Sequence, residues 1–305
     1  MTILNPIDTL FADDAHEATP VVIFNFSGLA SAQAPVFVCL PAMGVAAHFY
    51  ALFAEALAAA TRGVAVLTDL RGQGASHALA RRGARFGYRE IVEQDIPALI
   101  GATAAQFPRQ PIYLVGHSLG GQLASLVAAH AAHRLAGLIL IASGTAHYRV
   151  WPKAARTRAA VVVHGICLAA MLLPWYPGQR LGFGGDQPRR LMADWRYNAL
   201  TGRYRCAGSR ISYEAALQNV MLPVLSVELR DDPVAPAGAV EELLGKLAAC
   251  PIERRQIDGV LADAPWRRHF SWARQPDEVI AAIARWVRIP ASQPQVEYTK
   301  ERAAA

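Results

Sequence analysis

The sequence carries little that would suit a metal or redox centre. Its four cysteines, Cys39, Cys167, Cys206 and Cys250, show no C-x-x-C spacing, which argues against both a zinc knot and a disulfide framework. No set of His, Cys and Glu has metal-ligand spacing, so neither a metal nor a cofactor is expected. The start, Met1-Thr2-Ile3-Leu4-Asn5-Pro6, lacks a basic region followed by an apolar core. No secretory leader is expected, and a reduced cytoplasm is the default setting. Lys and Arg number 30 against 24 Asp and Glu, a net charge of +6. The bases fall in pairs (Arg81-Arg82, Arg189-Arg190, Arg254-Arg255, Arg267-Arg268) and form no stripe, so nucleic acid is not expected as a partner. Repeats and low-complexity linkers are missing too. The longest apolar segment, Ala159 to Trp175, falls short of the roughly 20 residues an upright membrane span needs, and it contains His164. It reads as a buried or lid helix facing an apolar cleft, and membrane contact is not expected.

What is present is apolar. The chain has 305 residues, 53% of them hydrophobic, enough for one large core or a core with an insert. Val21 to Phe26, Val36 to Leu40, Val64 to Thr68, Ile112 to Val115 and Leu135 to Ala142 read as strands. His48 to Ala60 and Ile91 to Phe107 have helical spacing between them. Continuous apolar strands alternating with helices imply a mostly parallel sheet covered on both faces. The alternation stops near Thr145 and resumes at Val224 to Leu229. A helix follows around Ala239 to Ala249, then a strand at Ile252 to Ile257 and a closing helix at Glu278 to Val287. The expected organisation is a core over residues 1–143 and 218–289, a cap inserted at 144–217, and a disordered tail at 290–305.

The most informative stretch is Val115-Gly116-His117-Ser118-Leu119-Gly120-Gly121. It follows a strand and opens a helical pattern, Gln122 to Ala129, which is the context of a nucleophile elbow. Gly116 and Gly120 must be small so that strand and helix can pass closely. Ser118 then projects at the start of a helix whose free N–H groups favour developing negative charge. A serine nucleophile needs a base, and the base needs an orienting carboxylate. Arg230-Asp231-Asp232-Pro233-Val234-Ala235-Pro236 directly follows a strand and offers two aspartates. Asp232 is preferred, with Asp231 kept as a residue that supports the turn through local backbone. His269 is the only histidine beyond His164, and it precedes the closing helix. Its neighbours Arg267 and Arg268 disfavour an imidazolium, so the aspartate would have to offset them. Leu119 follows the nucleophile and can supply one backbone N–H to an oxyanion.

Other polar residues have plainer readings. His117 is the variable position of the elbow and is expected to shape the pocket floor. His48 is read as a partly buried residue at a helix end. Asp69-x-Arg71-Gly72-x-Gly74-x-Ser76 is too glycine-poor to cradle phosphate, and Asp69 and Arg71 are expected to brace a tight loop. Asp186 reads as a turn residue of the cap. The cap is also rich in large apolar groups: Trp151, Ile166, Leu168, Met171, Leu172, Trp175, Tyr176 and Trp195. These suit the wall of an apolar pocket, with Met171 and Trp175 expected to touch substrate; the alternative is a surface that docks to a membrane or a second subunit.

The ordered set Leu40-Pro41-x-x-Gly44, Asp69-x-Arg71-Gly72-x-Gly74-x-Ser76, Gly116-x-Ser118-x-Gly120, Asp232-x-x-x-Pro236 and His269 resembles the α/β-hydrolase superfamily over nearly the whole chain. The cap stretch Trp175 to Pro188, with Asp194-Trp195, resembles a bacterial branch of that superfamily without a settled substrate. The resemblance implies an α/β-hydrolase fold and a Ser118-Asp232-His269 triad. It also places the second oxyanion donor at the Met43 N–H, although Pro41-Ala42 stand where many relatives carry His-Gly. The implied activity is hydrolysis of an ester or thioester of a hydrophobic small molecule through an acyl-serine. Acyl transfer at the same site, or a binding protein that kept the fold without chemistry, are the alternatives.

Overall fold

The computed structural model describes residues 21–25, 33–76, 78, 80, 83–258 and 264–288, and every structural statement here refers to them. The expected tail at 290–305 and the end of the first strand at Phe26 lie outside the described residues. The strands are β1 (Val21–Asn25), β2 (Val36–Leu40), β3 (Val64–Thr68), β4 (Ile112–His117), β5 (Gly137–Ile141), β6 (Tyr176–Pro177), β7 (Asp186–Gln187), β8 (Val224–Leu229) and β9 (Ile252–Ile257). Seven of them form one sheet in the order β1-β3-β2-β4-β5-β8-β9. β1 runs antiparallel to β3, and the remaining neighbours are parallel.

The helices are α1 (Ala51–Thr61), α2 (Tyr88–Glu90), α3 (Ile96–Gln106), α4 (Leu119–Ala131), α5 (Lys153–Leu172), α6 (Gly178–Leu181), α7 (Arg189–Thr201), α8 (Tyr213–Leu217), α9 (Ala237–Gly245), α10 (Arg268–Ser271) and α11 (Asp277–Arg288). The expected helix from Ile91 instead has a wider turn at Ile91–Asp95 between α2 and α3. Pro97, at the start of α3, has no N–H with which to continue an ordinary ladder there.

The central strands are buried at every position because helices cover both faces. Val36, Val38 and Leu40 point into the core that contains Leu99, Leu123 and Leu126 of α3 and α4. Phe37 and Cys39, one residue out of phase, join Phe53 and Leu57 of α1 and Val279 and Ile283 of α11. β9 ends the sheet, and its Arg254 and Arg255 put charge on an edge that another chain could otherwise pair with.

β5 and β8 are direct neighbours, yet α5, α6, α7, α8 and the β6–β7 hairpin lie between them in sequence. This segment is tied down at its start. Thr145 donates its N–H to Ala239 O (3.0 Å), and both Thr145 and His147 bond the Glu242 carboxylate on α9. Trp151 Nε1–H reaches Pro233 O at 3.4 Å. α5, expected as a buried or lid helix, buries one face and leaves the other bare. Val163, Cys167 and Ala170 pack inward, but Leu168 and Leu172 are 56% and 72% exposed.

Candidate active site

β4 delivers Ser118 into the turn before α4 at φ 54°, ψ −116°. Only glycine visits positive φ freely, so a serine here is held by its surroundings. Its N–H donates to Ile141 O at 3.0 Å, which fastens the turn to β5. A Cβ on Gly116 would overlap the Gly121 backbone, and one on Gly120 would overlap Leu40 O. The close passage of strand, helix and the loop after β2, expected from sequence to be the oxyanion loop, therefore requires glycine at both positions.

The end of β8 feeds the acid loop. Asp231 takes φ 56°, and its side chain is 76% exposed, 3.9 Å from Arg268. Asp232 turns inward instead. Its Oδ2 accepts from His269 Nδ1 at 2.7 Å, and both side chains are 1% exposed. Its Oδ1 accepts the N–H groups of Val234 (2.8 Å) and Ala235 (3.2 Å). Burial alone would raise the Asp232 carboxyl. The His269 ring and the two backbone donors outweigh it and hold the group below its ordinary value. An ionised Asp232 makes Nδ1 the protonated nitrogen, which leaves the Nε2 lone pair as the basic site. Nε2 is buried and bonds no group among the described residues, Ser118 included.

His117 links the three loops. It is 2% exposed and 4.7 Å, centroid to centroid, from the His269 ring. Its Nε2 lies 2.9 Å from His269 O, a pure acceptor, so Nε2 carries the hydrogen. Nδ1 therefore accepts the Tyr50 hydroxyl at 2.7 Å, and that hydroxyl in turn accepts the Ala42 N–H at 3.1 Å. Burial, with the neighbouring His269, pushes His117 well below the ordinary histidine range, so the ring stays neutral. Burial raises Tyr50 above its ordinary value, so it stays a donor. His117, expected from sequence to shape the pocket floor and meet substrate, has both ring nitrogens bonded within the protein, to the Tyr50 hydroxyl and to His269 O.

The oxyanion loop follows β2. The Ala42 N–H is held by Tyr50, and the Gly44 N–H by Gln73 Oε1 at 2.7 Å. Between them, the Met43 N–H has no acceptor among the described residues. Leu119 is the first residue of α4, so its N–H has no intrahelical acceptor. The loop after β3 braces this region. Asp69 accepts the N–H groups of Ala47 (2.6 Å) and Ala75 (2.9 Å), and Arg71 pairs with Asp95. His48, expected to be partly buried, is exposed. Asp186 accepts the Gln179 N–H at 3.1 Å, as a turn residue does.

The segment expected to form a cap meets the loop after β2 through glycine. A Cβ on Gly44 would overlap Gly184 and Gly185, and one on Gly184 would lie 3.2 Å from Met43 Sδ. Phe183 packs on Trp195 at 5.7 Å. Met171, expected to touch substrate, sits 45% exposed on α5. Its carbonyl and sulfur are bonded by Arg189 and Arg196 of α7. Trp175 is half-buried just beyond α5. Sequence reading passed over Tyr50 and Gln73. Each acts through a loop distant in sequence, and only Gln73, inside the Asp69-to-Ser76 motif, stood in a stretch with any signal.

A family model described as serine aminopeptidase, S33, matches residues 31–180, which include Ser118 and the oxyanion loop. No curated protein matches the sequence. Solved structures similar to the chain include a hydrolase from Pseudomonas aeruginosa, at 20% identity and TM-score 0.54 over 91% of this chain and 97% of that one. Est1E from Butyrivibrio proteoclasticus aligns at 13% identity and TM-score 0.56, over 90% and 97% of the two chains. A proline iminopeptidase of Mycobacterium smegmatis aligns at 19% identity and TM-score 0.55, over 90% and 95%. With a mostly parallel sheet and a serine elbow after β4, the chain has the α/β-hydrolase fold, and its residues 31–180 match the serine aminopeptidase S33 family of that superfamily.

Proposed function

We propose that this chain is a serine hydrolase that cleaves an ester or thioester of a hydrophobic small molecule through an acyl-serine. The observation that carries the reading is the buried Asp232–His269 pair at 2.7 Å beside the strained Ser118 turn. Ser118 Oγ is the nucleophile, and His269 Nε2 takes its proton as the hydroxyl closes on it. Such contacts often tighten only when substrate is bound. Asp232 fixes the tautomer and stabilises the imidazolium. The Leu119 and Met43 N–H groups receive the tetrahedral oxyanion. His269 then protonates the leaving group, and water attacks the acyl-serine with His269 as base. Tyr50 and His117 are positioning residues, since they tie the oxyanion loop to the His269 backbone. Support for an apolar substrate comes from Met43 and Phe183, partly buried where the Gly182–Asp186 turn meets the oxyanion loop.

The test is a mass measurement after incubation with a panel of acyl esters, thioesters and aminoacyl amides, alongside a fluorophosphonate label. An acyl adduct and the label on Ser118, both lost in Ser118→Ala, are expected. Turnover should fall by several orders of magnitude, because triad members act as a unit. Turnover of Ser118→Ala within about tenfold of wild type would overturn the triad. Cleavage of aminoacyl amides alone would replace the ester reading with a peptidase. Product analysis with a competing alcohol, amine or thiol separates hydrolysis from acyl transfer.

A further inference from the structure

The outer face of α5 carries five of the exposed large apolar side chains among the described residues: Val161, Val162, Leu168, Met171 and Leu172. By length and composition the helix could cross a membrane, yet only 17% of its most apolar window is buried. At 100° per residue, Val161, Leu168 and Leu172 fall on one stripe, opposite the buried Val163, Cys167 and Ala170. Their exposures are 68%, 56% and 72%, and Val162 and Leu173 widen the strip. Contiguous exposed aliphatic surface of this kind marks an interaction site.

Charge identifies the partner. From Gly144 to Gly185 the sequence has no Asp or Glu, but it has Arg149, Lys153, Arg156, Arg158 and Arg180. All five are exposed. None has a carboxylate within ion-pair distance among the described residues. Lys153, Arg156 and Arg158 sit in the first turns of α5, and Arg180 lies beyond its other end. Arg189, also exposed, caps the helix on Met171 O at 2.6 Å. An aliphatic strip with unpaired cations at both ends suits the boundary between lipid head groups and acyl chains. A second copy of the chain would bring five like cations against five, which disfavours self-association on this face. The bare outer face of α5 favours the membrane alternative over the substrate-facing reading of this helix.

We infer that the outer face of α5 docks on an anionic lipid surface, with the helix lying in the interface plane and not spanning it. This inference does not depend on the chemistry of Ser118. The test is sedimentation of the full chain with phosphatidylcholine vesicles, with and without phosphatidylserine, at low and high salt. Binding to the anionic vesicles should exceed binding to the neutral ones by about tenfold or more and weaken with salt. The exposed pair Leu168→Asp and Leu172→Asp should abolish it with the unfolding temperature unchanged. Lys153→Ala with Arg158→Ala should weaken it about tenfold or more. Absence of vesicle binding, equal binding to both vesicle types, or binding unaffected by the Leu168 and Leu172 changes would overturn the inference. So would a wild-type molar mass in light scattering that halves in the Leu variant, which would assign the face to a second copy.

Discussion

Replacing Tyr50 by Phe removes a single buried oxygen and tests whether loop positioning matters to the chemistry. That oxygen accepts the Ala42 N–H at 3.1 Å and donates to His117 Nδ1 at 2.7 Å. Ala42 and His117 are each 2% exposed, so water cannot replace the lost partner. A buried polar group left unpaired costs about 1–3 kcal/mol, so the two together should cost about 2–6 kcal/mol of stability. The ring itself still packs on Phe49 and Trp272, so no large cavity forms. Losing a whole oxyanion donor costs on the order of 10²–10³ in rate. Loosening the loop that carries Met43, with the Gln73 bond to Gly44 intact, should cost less. The expectation is a fall in kcat of about tenfold to a hundredfold, or about 1.4–2.7 kcal/mol, with KM within a few-fold. Steady-state kinetics on a chromogenic acyl ester, the fluorophosphonate labelling rate and a urea midpoint measure all three quantities. If the stability loss appears while kcat stays within about twofold, the network only supports the fold and Gln73 sets the loop.

Asp232→Asn should cost on the order of 10⁴ in kcat, because it reverses the favoured His269 tautomer, while Asp231→Asn should cost little; the opposite ranking in the same assay would reassign the carboxylate. Gly44→Ala should destabilise the protein and speed hydrogen exchange across Gly182 to Asp186, since φ is +75° there and the new methyl would displace the Gly184–Gly185 backbone. Burial pushes the Asp194 carboxyl up to about 6 against its bonds to the Tyr88 and Ala207 N–H groups. A carboxyl raised in the folded state stabilises most below its unfolded value of 3.8, and its contribution is lost as pH rises through about 6. Unfolding free energy should therefore drop on this account by on the order of 2 kcal/mol between pH 4 and 7, and Asp194→Asn should flatten that slope even as it lowers stability overall. A variant with the wild-type pH slope would show that another group titrates.

Much of the sheet was legible in the sequence because its strands are buried on both faces. β2, β3 and β8 begin and end where their apolar runs do, since flanking proline, glycine and charge stop both run and strand. The elbow was legible for a steric reason, as Gly116 and Gly120 mark where backbones must touch. Helix ends were less so: α9 starts at Ala237 and stops at Gly245, because Pro236 and the packing of Leu247 set limits that periodicity does not register. Sequence placed Asp231 and Asp232 side by side, and only the backbone at Asp231, turned to φ 56°, sends one carboxylate to solvent and the other to His269. A residue's partners depend on where distant loops arrive, so Tyr50, Gln73 and the second bond of His117 could not be read locally. The same holds for α5, whose composition is apolar all round. Which of its faces meets the core and which stays bare was decided by how α5 lies on α7.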